Sequence, residues 1–297
     1  MDQVGSTSAK PKTIGLPVPC TQRVLAGWLR ADHFAMYPAQ GNTPAEITWH
    51  QAKHAHAVQS VSQLPTVELG PTPAIEITDA SENEWVSEIK KGVDFLKYYS
   101  HLNPIVGYVP INEITVFQPH LRSHHESAPQ TQLDILKWCL PSTFAAHVSI
   151  RTEGNRILLL GNDPTFQILP PQSDPNGRGI LIPIGANANW VQVKRVSGRY
   201  ILHNGHHRVA SLAAAGHTLV PAIVSDAPDL EHVIPLQANR QYRPWWTPQE
   251  LLGFPRPPRV IDFFDPKVTM DLPAEQLMRV VEIRMDVQQF QLPVELK

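Results

Sequence analysis

The chain has 297 residues, 42% of them hydrophobic and 18% charged, which is apolar enough to bury a core and excludes a wholly disordered protein. Its 25 Lys and Arg against 27 Asp and Glu leave a formal net charge of −2, which counts against a protein built to grip nucleic-acid phosphates. Proline is the outlier: 29 residues, about twice ordinary usage, exclude long uninterrupted helices and predict short elements joined by stiff turns. In chain order, residues 1–20 are small, polar and proline-punctuated and read as a lead-in arm. Residues 66–69 and 74–77 are candidate strands. A helix is predicted over 81–102, where Ser81 and Glu84 form a capping box and Trp85, Ile89, Val93, Leu96 and Tyr99 recur at helical spacing.

A strand at 105–109 leads into VPINEITVFQPHLR (109–122), and 132–140 reads as a helix ended by Pro141. From Ile150 the chain looks β-rich, with a strand at 156–160 turned by Gly161-Asn162-Asp163-Pro164 into 165–169, and a further apolar run at 180–184. Strands at 190–196 and 199–203 flank a Ser197-Gly198 hairpin turn. Asn204-Gly205 then opens a helix over 206–215, which Gly216 closes in a left-handed conformation. A strand follows at 219–224, where Pro221 demands a position that needs no N–H. Residues 234–266 are proline-rich and carry Trp245 and Trp246. Thr247-Pro248-Gln249-Glu250 is a capping box with proline at the first helical position, and a last helix is predicted over 273–290.

Two cysteines, Cys20 and Cys139, make no disulfide framework, though a single bridge stays open. No window approaches the ~18 consecutive apolar residues of a membrane span, and the first 15 residues lack the apolar core of a secretion signal. The expectation is a soluble cytoplasmic protein.

The most informative string is YILHNGHHRVASLAAAGHTLVPAIV (200–224). A glycine at a strand end lets the backbone turn tightly and present consecutive N–H groups at a helix N-terminus, where the helix dipole favours an anion. Arg208 stands in the first helical turn, within reach of a phosphate for its planar fork, and His206 and His207 add donors that strengthen on protonation. The alternative is a strand–helix corner whose histidines cap backbone groups.

On Asn204-Gly205-His206-His207-Arg208 and its flanking strand–helix–strand pattern, residues 190–224 resemble the central motif of the ParB/sulfiredoxin-like superfamily, nearest to the variant of the ParB-like free-serine kinases. A second match, VPINEITVFQPHLR, is similar to that domain's opening strand and loop. The resemblance implies an α/β protein with a mixed sheet, its ParB/sulfiredoxin-like core at 105–226, an N-terminal arm and accessory segment at 1–104, and a proline-rich C-terminal extension at 227–297. It implies phosphate binding by Asn204, Gly205, His206, His207 and Arg208, with Arg122 steadying charge. The ligand implied is ATP or another nucleoside triphosphate with Mg²⁺.

The departures narrow this. His206 stands where sulfiredoxins carry their reactive cysteine, which speaks against sulfinic acid repair. Ala210 replaces a further arginine of the chromosome-partitioning proteins, and 227–266 suits no helix-turn-helix, so a DNA-associated ParB-like protein is only a third reading. The kinases have an acid at the position of Asn204; a transferase would need another carboxylate, for which Glu113 and Glu126 are candidates, with His207 beside them as a catalytic candidate.

The other constellations are weaker. His120, His124, His125 and Glu126 cluster, with His120 and His124 at metal-sharing spacing if helical, but Pro119 suggests a loop. His50, His54 and His56 read as a solvated helix face, His203 as a packed strand residue, and Trp245-Trp246 as a seal between elements. Asp262 and Asp265 in VIDFFDP suit a docking segment or a metal site. The sequence reading is a nucleotide-binding protein, as a phosphotransferase or NTPase acting on a small molecule, with a non-catalytic sensing module that meets a protein partner through its C-terminal extension as the alternative.

Overall fold

The computed structural model describes residues 18–35, 43–66, 73–122, 127–142, 148–154, 156–161, 167–168, 172–173, 180–181, 184–185, 189–233, 245–254, 256–276 and 279–284. The protein is of the α/β class, with helices and mixed sheets, and divides into two compact units. The larger comprises Pro19–Thr143 and Ala188–Glu275; the smaller comprises Met1–Val18, Phe144–Asn187 and Gln276–Lys297. These units cut across the three consecutive segments drawn from sequence, because strands distant along the chain pair with one another.

Strand β1 (Val18–Val24) begins inside the stretch read as an arm. Helix α1 (Ala31–Phe34) is short; α2 (Pro44–Val61) starts at Thr43, whose side chain accepts from the Glu46 N–H while Glu46 reaches back to the Thr43 N–H. Strand β2 (Ile75–Glu76) precedes a helix that differs from the 81–102 expectation. Asp79, not Ser81, caps α3 (Ala80–Lys91), and Gly92 in an extended conformation (φ −64°, ψ 142°) separates it from α4 (Val93–Tyr99). That break rotates the register, so Val93 is 82% exposed while Phe95 and Tyr99 take the buried positions.

Strands β3 (Ile105–Pro110), β4 (Ile114–Thr115) and β5 (His120–Arg122) lead to α5 (Gln132–Cys139), capped by Thr131. In the smaller unit, β6 (Val148–Glu153) and β7 (Arg156–Gly161) form an antiparallel hairpin, and β8 (Gln167–Ile168), β9 (Gln172–Ser173), β10 (Ile180–Leu181) and β11 (Ile184–Gly185) pair as β8 with β11 and β9 with β10. The partner expected for β7 from 165–169 is therefore β6 instead, and the Gly161-Asn162-Asp163-Pro164 turn lies largely outside the described residues.

The chain re-enters the larger unit as β12 (Gln192–Val196), β13 (Arg199–Asn204), α6 (His206–Ala214), β14 (Leu219–Asp226) and α7 (Pro248–Gly253). The predicted terminal helix is replaced by strands β15 (Met270–Gln276) and β16 (Arg279–Arg284). Val280, Val281 and Ile283 are β-branched, and they pair with Leu160, Leu159 and Ile157 of β7, a partner no local helical pattern reveals.

The larger unit is built on a six-stranded mixed sheet, β2-β3-β14-β12-β13-β4, in which β12–β14 and β13–β4 are parallel and the other pairs antiparallel. Pro221 lies on β14 before pairing with β12 starts at Ile223, so its missing N–H breaks no bond to that strand. A second sheet has the order β15-β1-β5. The core holds Val109, Val191, Ile201, Leu202, Val209, Leu212, Ala222 and Ile223, all fully buried. Among the described residues no helix is long and apolar enough to cross a membrane.

Candidate functional site

The strand–turn–strand–glycine–helix–strand order is present. Ser197 and Gly198, at φ 47° and 71°, form the β12–β13 turn with the left-handed geometry that matches strand twist. Gly205 follows β13 at φ 91°, ψ 20°. A Cβ built there would stand 2.8 Å from Val191 Cγ2 and 3.1 Å from Val191 Cα, so glycine is required twice, for the backbone angle and for the close approach. Gly216, at φ 86°, ends α6, with the His217 N–H donating to the Leu212 carbonyl at 3.0 Å.

Having no side chain, Gly205 supplies no side-chain cap to α6. The Asn204 side-chain carbonyl accepts the Gly205 N–H at 2.8 Å, and its amide donates to Asn189 Oδ1 at 3.3 Å.

Arg208 corrects the sequence reading. Its guanidinium donates to the carbonyls of Trp138 (2.9 Å) and Cys139 (3.1 Å), to the Asn189 carbonyl, and to Asn189 Oδ1 (2.8 Å). It therefore ties the first turn of α6 to the C-terminus of α5 rather than reaching out to a phosphate. The other end carbonyls of α5 are met likewise: Trp85 Nε1 donates to Leu140 and Trp190 Nε1 to Pro141, both at 2.9 Å. A cation at the negative end of α5 is the favourable arrangement, and the buried carbonyls need donors in any case.

The histidines part company. His206 is only 8% exposed, lies edge-on to Phe117 at 5.4 Å, and its Nε2 is buried without a hydrogen-bond partner. Burial first, then the neighbouring His207, His203 and His120, push its pKa down to about 3, so it is neutral at pH 7 and is not the strengthening donor expected. His207 is exposed. Burial, then Arg122 and His207, bring His120 down to about 4. His203 packs as expected, its Nδ1 donating to the Val233 carbonyl at 2.9 Å, and burial lowers its pKa.

Glu113 does not join this corner. Because β4 runs parallel to β13 with Ile114 level with Tyr200, Glu113 stands at the start of β13. It is roughly 20 Å from Gly205 at ~3.3 Å rise per residue, and near Arg259 and Tyr200 instead. Glu126, with His124 and His125, lies outside the described residues. Arg122 sits on β5 opposite Gln22 and bears on His120. Among the described residues no group of three or more His, Cys, Asp or Glu is placed to hold a metal ion.

Other candidates resolve into packing. His50 and His54 occupy the buried face of α2, not a solvated one; His54 stacks on Phe34 at 4.4 Å and its Nε2 meets the Leu29 carbonyl at 2.8 Å. Trp246 is buried, donating to the Trp28 carbonyl at 3.1 Å, while Trp245 meets His33 and His120 edge-on at 5.8 and 5.9 Å. Asp262 is buried against Arg256 at 2.5 Å and accepts the Arg259 N–H, a structural use of that acid; Asp265 accepts the Lys267 N–H. Cys139 is a free, buried thiol, pushed up to about 12 by burial; the side chain of Cys20 lies outside the described ones. Asn189 and Phe117 are the residues at the turn that sequence reasoning missed; neither carries a local signal.

The chain matches no protein-family model, no curated protein and no solved structure.

Proposed function

We propose that the larger unit binds a phosphorylated small molecule at the N-terminus of α6, a nucleoside triphosphate on the ParB/sulfiredoxin-like resemblance, and holds it without chemistry. The observation that carries this reading is the basic corner itself. A left-handed glycine opens a helix that no side chain caps, His207, His203 and His120 bear on His206 in its first turn, and Arg122 bears on His120. An anion there meets the positive end of the helix dipole and favours protonation of the neighbouring imidazoles. In this arrangement Gly205 shapes the turn, Arg208 and Asn189 brace it, and His207 is exposed in the first turn of α6.

A phosphotransferase or NTPase needs a carboxylate to hold Mg²⁺ and orient the attacking group. Glu113 is at the far end of β13 and Asn204 presents an amide, so the described residues do not fit Mg²⁺ at the turn. Binding without turnover therefore fits better than the kinase reading, and the net charge of −2 disfavours a DNA-associated one.

Calorimetric titration with ATP, CTP and inorganic tripolyphosphate tests the proposal. Binding is expected to be stronger at pH 6 than at pH 8, because an anion raises the depressed histidine pKa values and draws in protons. The His207→Ala variant should bind about tenfold more weakly, the loss of one charge-assisted hydrogen bond. Absence of binding by all three ligands at millimolar concentration overturns the proposal. Phosphate release from ATP with Mg²⁺ that disappears in His207→Ala would restore the enzyme reading.

A further inference from the structure

We infer that a second binding site lies in the cleft between α2, β1, β15 and the 3₁₀ turn Val260–Phe264, and that it takes a small organic anion with a flat apolar body, such as an aromatic carboxylate. The cleft has a cavity volume of about 450 Å³, within the range of small-molecule sites. Its walls combine two kinds of group. Trp49 and Phe264 present large ring surface to solvent, 53% and 36% exposed, beside the thioether of Met270. Trp is ordinarily among the best-covered residues, so an indole left half open in a concave site is a surface awaiting a partner.

The cations are positioned rather than loose. Arg23 is forked onto Asp271, Nε to Oδ1 at 2.8 Å and Nη2 to Oδ2 at 3.0 Å, which occupies both carboxylate oxygens. Arg23 Nη1 has no partner among the described residues. Lys53, one helical turn after Trp49, holds its ammonium 5.1 Å from the centre of the indole ring and has no carboxylate partner among the described residues. With the Arg23–Asp271 pair neutral, Lys53 leaves one surplus positive charge among the described residues that line this aromatic-walled cleft. A carboxylate meets that charge, with Arg23 Nη1 in the same lining as a further donor, while its ring covers Trp49 or Phe264. One charge is too few for a polyphosphate or a nucleic acid, and no residue of the α6 turn lines the cleft.

The experiment follows the indole N–H resonances of the full-length protein by ¹H–¹⁵N NMR, with Trp49 assigned through Trp49→Phe. Titration with 2-naphthoate should shift the Trp49 resonance saturably. Lys53→Gln and, separately, Phe264→Ala should each weaken binding about fivefold, and the neutral 2-naphthol should bind weaker by a similar factor. His207→Ala should leave naphthoate binding unchanged. No shift up to about 10 mM overturns the proposal. Equal binding of naphthol and naphthoate overturns it too, since the cleft is then only a greasy patch, and so does an equal response to inorganic phosphate, which needs no ring.

Discussion

Two kinds of helix start coexist in the larger unit. Helices α2 and α7 begin with complete capping boxes, Thr43 with Glu46 and Thr247 with Glu250, each followed by proline at the first turn. Helix α6 begins on a bare left-handed glycine with histidines around it. The first two ends are closed by their own side chains and carry an acidic residue against the positive dipole end; α6 has neither. Helices α1 and α4 also start without a side-chain cap, but they carry Asp32 and Asp94 in their first turns. Among the described α-helices α6 alone has neither cap nor acid, and it stands where the imidazoles gather. That contrast singles out the α6 turn more firmly than the Gly-His-His-Arg string alone.

The comparison breaks most visibly at Gly205. Alanine there meets both a positive φ and Val191, and should cost about 2–4 kcal/mol by urea denaturation. Gly253→Ala, where the new methyl meets nothing within 4 Å, should be neutral by the same measurement. Next comes Arg208→Ala, expected to lose about 2–3 kcal/mol, because the Trp138 and Cys139 carbonyls lose their guanidinium donor. A neutral result would mean that Arg208 is free to serve a ligand after all.

Acid sharpens the comparison differently. The His206 pKa is lowered from 6.5 to about 3 on folding, so the unfolded chain binds more protons between those values. Stability contributed by neutral His206 is full above about pH 6.5 and drains away as pH falls toward 3. His206→Phe, which retains a ring against Phe117, should flatten that limb of a stability-against-pH profile and leave the value at pH 8 little changed. The smallest effect belongs to the closed ends: Thr247→Ala should cost about 1 kcal/mol in thermal or urea unfolding.

Legibility tracked distance along the chain. The β12–β13 turn, the Gly205 and Gly216 positions, and the Thr247 capping box each depend on neighbours within a few residues, and each is present. The 81–102 helix failed at Gly92, where an extended glycine and an Asp79 cap outweighed the apolar period. The terminal helix failed for a different reason: β16 finds its partner in β7, more than a hundred residues earlier. Burial of His50 and His54 was missed because the polarity of an imidazole says nothing about which face of α2 meets Phe34 and Leu29.

By itself, the sequence determined where this protein turns: glycines at positive φ and Thr-Pro caps are local solutions to backbone sterics and unpaired N–H groups. Only the tertiary structure decided how the residues around Gly205 are engaged. The approach of α5 commits Arg208 to carbonyls, the parallel register of β4 on β13 carries Glu113 to the far end of the strand, and packing under Phe117 keeps His206 neutral. Each outcome depends on which distant backbone is brought close, and that is set by sheet register and helix packing rather than by any residue's own propensity.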